Sequence, residues 1–116
     1  MAGFAGRERI LDEIPVVIVD TKGAIRYWSG GAEKIFGYSE DAATGRSLDL
    51  IVPEEFRQAH WNGFRQAMAC GSAKSEGLGG PIPVATAEGR TVSTPGRLSL
   101  LRGLDGKVVG AMVVFG

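Results

Sequence analysis

Apolar residues change their period several times along the chain, and each change predicts an element. Phe4, Ile10, Leu11 and Ile14 alternate with charged residues at helical spacing, which predicts a short amphipathic helix stopping before Pro15. Val16 to Val19 is a β-branched run, Asp20-Thr21-Lys22-Gly23 a turn, and Ala24 to Trp28 the returning strand of a hairpin. Ser29 is placed to cap a helix carrying Ala32, Ile35 and Phe36 on one face, and Gly37 to end it in a left-handed conformation. Short helical turns are expected from Ser39 to Ile51. A longer helix follows Pro53 to about Ala69, with Glu54 and Glu55 at its positive end. Three strands are then expected at Lys74–Ala87, Arg90–Arg102 and Lys107–Phe115, the last two as a meander. Pro95 lacks a ladder donor, so it is expected at an edge, bulge or break. Two strands, several helices and three strands predict an α+β domain: a five-stranded antiparallel sheet with short helices covering one face.

Composition narrows the function. The 116 residues suit one domain, and a 44% hydrophobic share suits a packed core. Thirteen basic residues balance thirteen acidic ones, leaving no excess field to hold a phosphate backbone, so direct nucleic-acid binding is not expected. No stretch approaches the roughly 18 apolar residues of a spanning helix, and the expectation is a cytoplasmic domain without membrane insertion. A single cysteine, Cys70, permits neither an internal disulfide nor a cysteine-built zinc site.

Particular stretches resemble the PAS family of sensory domains. Asp20 to Ile25 followed by Trp28 is similar to the family's opening hairpin, and Ala32-Glu33-Lys34-Ile35-Phe36-Gly37-Tyr38 to its first sheet-covering helix. Gly45-Arg46-Ser47-Leu48, Ile51-Val52-Pro53-Glu54 and Asp105 to Gly110 continue the likeness. The resemblance implies a flanking helix over 1–14 and a sensory domain over 15–116. It also implies a small interior cavity for a small-molecule ligand and a covalently linked output domain: a kinase, a cyclase or phosphodiesterase, or a transcription regulator. The output half is expected to lie outside this chain. Phe36, Leu48, Ile51, His60, Phe64 and Leu78 are the cavity candidates, with Ser75 a polar contact on the strand that follows.

His60 stands out among them. A helical wheel centred on Phe56 puts it on one apolar face with Gly63, Phe64 and Ala67. Arg57-Gln58-Ala59-His60 resembles the Arg-x-x-His of haem-binding PAS oxygen sensors, which implies His60 as an axial iron ligand if haem is bound. Many PAS domains without known haem carry a similar stretch, and a core-facing histidine is often only a hydrogen-bonded packing residue. Gly80 falls where the rhizobial haem sensors place an oxygen-contacting arginine, so oxygen specificity is not implied.

Other chemistry is poorly supplied. Gly77-Leu78-Gly79-Gly80-Pro81 lacks the Gly-Lys-Ser/Thr of a phosphate loop. The Asn-Cys-Arg-Phe-Leu motif of flavin light sensors is absent, and Cys70 reads as a packed, inert thiol. One histidine without a nucleophile elbow gives no hydrolytic site, so no enzyme activity is expected. Beside the ligand-binding sensor stand two alternatives: a haem-based gas or redox sensor, and a ligand-free interaction module forming a homodimer through Phe4, Ile10, Leu11 and Ile14. Trp61, to one side of the long helix, would suit a dimer surface.

Overall fold

A computed structural model describes residues 10–116. Its strands are β1 (Val16–Asp20), β2 (Ile25–Trp28), β3 (Gly79–Ala85), β4 (Thr91–Arg102) and β5 (Val108–Phe115), in the antiparallel order β2-β1-β5-β4-β3. The helices α1 (Gly30–Phe36), α2 (Glu40–Ala43) and α3 (Arg57–Cys70) fall between β2 and β3, with 3₁₀ turns at Leu48–Leu50 and Glu54–Phe56. The predicted α+β architecture is therefore the observed one. Of the expected amino-terminal helix, residues 10–13 are helical; Phe4 and the rest of its first half lie outside the described residues.

Local chemistry explains the hairpin and the first cap. Asp20 Oδ1 accepts from the Lys22 and Ala24 amides, closing the β1–β2 turn. The Ala24 amide is the chief reason the Asp20 carboxyl sits below its usual range. Ser29 caps α1 through the Ala32 amide, and Gly37 ends it at φ 84°.

The core divides into a tight half and a looser one. Trp28, Phe36, Ile25 and Val17 are fully buried. Phe36 stands 5.4 Å from Trp28 and edge-on to Phe115 at 5.1 Å, and Trp28 Nε1 donates to the Tyr38 carbonyl. Over the other half lies α3, of which only Ala67 is buried. Its α-helical part begins later than expected, because Glu54–Phe56 first turns as a 3₁₀ helix. Phe56, at the junction, is 43% exposed and stays on the same side as His60, Gly63, Phe64 and Ala67.

The β3 edge is built from prolines. Ala85 donates from its amide to the Ile51 carbonyl, away from β4, and alternation along the strand puts the nitrogens of Pro81 and Pro83 on that same outer side. Neither has a proton to offer a foreign strand. Pro95 faces Pro81 within β4, in the part of β4 whose pairing with β5 has not yet begun. It thus lies inside a strand, where its carbonyl accepts from the Gly116 amide while no ladder bond calls on the missing donor.

Candidate functional site

Period-two alternation turns Val17 and Val19 of β1, Leu98 and Leu100 of β4, and Ala111, Val113 and Phe115 of β5 toward the helices. The α3 face with His60, Gly63, Phe64 and Ala67 lies opposite, with Leu48, Ile51 and Val52 closing one end. Between them is a cavity of about 1040 Å³, at the upper limit for small-molecule sites. Its mouth is the exposed run through Ser72, Lys74, Ser75, Leu78, Gly79 and Gly80.

The structure gathers most of the expected ligand residues around this space and separates one. Leu48, Ile51, His60 and Phe64 line the interior, whereas Leu78, 66% exposed, stands at the mouth. Ser75 is also at the mouth, on a turn over 74–77 instead of the expected strand. The reason is Glu76. Its carboxylate accepts from the Leu100 amide and pairs with Arg102, while the Gly77 amide donates to the Leu98 carbonyl. These bonds hold the segment against β4 without a regular ladder. Phe36 does not line the cavity; it is consumed in packing against Trp28 and Phe115. Cys70 is exposed at the end of α3, so the expected packed thiol is not found. Lys74 and Ser72 are not among the expected residues, because exposed polar residues in irregular segments carry no period; Gln66, exposed on α3, is not among them because it lies off the apolar stripe that the spacing marks.

His60 is the cavity's one imidazole. Phe64 stacks on it at 6.1 Å and Trp61 meets it edge-on at 4.7 Å. Its Nδ1 is buried without a hydrogen-bond partner among the described residues. Burial lowers its pKa, and the Asp49 charge opposes that shift more weakly, so the ring is neutral at pH 7. Trp61 donates from Nε1 to Asp49 Oδ1 at 2.6 Å and lies on Gly23, where φ is +82° and a Cβ would strike its ring. Trp61 thus pins α3 to the first hairpin.

The arrangement can enclose an apolar molecule and offer it one neutral imidazole. Among the described residues no three His, Cys, Asp or Glu side chains are grouped to hold a metal ion. A single imidazole whose Nδ1 has no partner among the described residues is nonetheless a donor that a haem iron takes.

The sequence matches the PAS fold over residues 7–115, and the chain belongs to that family of sensory domains. It is 26% identical over 92 residues to the oxygen sensor protein DosP of Escherichia coli, covering 79% of this chain and 11% of that protein. It is 38% identical over 53 residues to the sensor protein FixL of Bradyrhizobium diazoefficiens, covering 44% of this chain and 10% of that protein. The chain thus spans about a tenth of the length of these relatives. Among solved structures, the PAS domain of a Colwellia psychrerythraea protein superposes with TM-score 0.78 at 19% identity, over 97% of this chain and 94% of the other. An RNA-binding light-oxygen-voltage receptor superposes with TM-score 0.75 at 17% identity, over 100% of this chain and 33% of that one. The fold is that of a PAS sensory module, and among the described residues no helix is long and apolar enough to cross a membrane.

Proposed function

We propose that this PAS module binds an apolar small molecule between α3 and the sheet, and that occupancy regulates an output domain in the same polypeptide. The cavity carries this reading: apolar walls from four strands and α3, with the unpartnered His60 Nδ1 as a polar contact. The route to an output runs through β5. Ala111, Val113 and Phe115 face the cavity, while the Phe115 amide donates to the Pro15 carbonyl. A ligand that shifts β5 therefore acts on the start of β1 and the end of β5 together. Regulation further requires that the ligand prefer one of two arrangements of that strand.

Titration with Nile red, a neutral apolar dye, tests the reading. One saturable site is expected in the parent chain and lost in Gly63→Phe, which projects a ring from the cavity-lining face of α3. A Cβ at Gly63 meets nothing within 4 Å, so the substitution is sterically open. No saturable binding, or binding equal in both proteins, overturns the proposal.

The neutral His60 ring on an apolar wall favours a second reading, a haem-based gas or redox sensor. His60 would hold the iron, Phe64 would keep its ring oriented, and the apolar walls would exclude water; the haem would supply the gas-binding or redox chemistry. Ferric haem titration followed by absorption is expected to give a stoichiometric histidine-ligated spectrum that vanishes in His60→Ala. A spectrum unchanged by that substitution removes His60 as the ligand.

A further inference from the structure

The charge around the cavity is one-sided. No aspartate or glutamate lines it, and its only ammonium group, Lys74, is exposed on the same stretch of the lining as Ser72 and Ser75. Lys74 has no ion-pair partner among the described residues. The nearest acid along the chain, Glu76, is turned away to the Leu100 amide and Arg102. Behind this positive mouth the walls are hydrocarbon from Val17, Ile51, Phe64, Leu98, Leu100 and Val113.

From this polarity we infer that the ligand is an amphipathic monoanion, a carboxylate head on an apolar chain, with the chain in the cavity and the head at Lys74. The inference rests on the cavity reading above and adds the sign of the head group. A neutral molecule would leave Lys74 without a role in recognition, and a cationic amphipath would meet like charge at the mouth. Because the head stays solvated there, its carboxylate need not be stripped of water to bind. The electrostatic part is correspondingly modest and sensitive to salt.

Three probes with the same chain and different heads separate these contributions: dodecanoate, dodecan-1-ol and dodecyltrimethylammonium, titrated calorimetrically into the full chain below their micelle concentrations. Dodecanoate is expected to bind about three- to fivefold more tightly than the alcohol at low salt, and the ammonium most weakly. The gap should narrow in high salt and in Lys74→Gln, and in Lys74→Glu the order of the two ions should reverse. Equal affinity for acid and alcohol, or a preference that persists in both Lys74 variants, overturns the anionic head while leaving the cavity reading standing. Failure of all three probes to bind sinks the cavity reading and the inference with it.

Discussion

At the scale of single residues, Ser29 carries more of the fold than its cap position implies. Its hydroxyl accepts from the Ala32 amide at 3.1 Å and the Val16 amide at 2.8 Å, and donates to the Ile14 carbonyl at 2.7 Å. One side chain therefore ties the entrance of β1 to the start of α1, at 2% exposure. Ser29→Ala removes the cap and strands the Val16 amide, so a loss of about 2–4 kcal/mol is expected in chemical denaturation. A loss below about 1 kcal/mol, as for a solvated cap, would show that water replaces the hydroxyl. The capping role was legible, since a serine preceding an apolar helical face is a local signal. The two bonds to residues 13 and 15 positions away were not, because nothing local marks them. His60 divides similarly: its place on the inward face of α3 follows from spacing, whereas its unpartnered Nδ1 depends on what surrounds the ring.

Among the elements, β3 and the segment before it depart furthest from expectation. Alternation and β-branching support the strand near Ile82 and Val84, but Lys74–Leu78 reads as extended only until Glu76 finds its partners on β4. Chiefly because its carboxylate accepts from the Leu100 amide, the Glu76 pKa is lowered. Its contribution is thus fully present above the ordinary carboxylate value and is lost as pH falls through the lower, folded value. Glu76→Ala is expected to speed hydrogen exchange at the Leu100 and Gly77 amides at neutral pH, with exchange in β1 unchanged; unaltered exchange at both would deny Glu76 its anchoring role. The prolines of β3 make a separate case. Replacing Pro81 and Pro83 together by alanine restores two outward donors on an edge strand, so sedimentation should reveal association rising with concentration. An unchanged mass across that range would mean that side-chain bulk, not the missing donors, guards the edge.

For the whole molecule, strand periodicity and turn residues made the sheet and its helical cover legible, because each strand exposes one face and buries the other. How far α3 stands from the sheet was not legible: it depends on Trp61 resting on Gly23 and bonding Asp49, contacts between segments distant in sequence. That separation creates the cavity and also half-buries His60. Since burial holds its pKa below the ordinary value near 6.5, the unfolded chain binds a proton that the folded chain resists. Stability should be fully present above about pH 6.5 and decline as pH falls through the lower, folded value. Asp49 faces the ring and limits this loss without reversing it. The lowered carboxyls of Asp20 and Glu76 titrate below the usual value near 4, so they do not contribute between pH 7 and pH 5.5. Urea denaturation of the parent and of His60→Phe at those two pH values isolates the imidazole: the parent should lose stability on acidification, and the variant distinctly less. Equal losses would mean that the ring is solvated when charged, and that the cavity wall around it is wet.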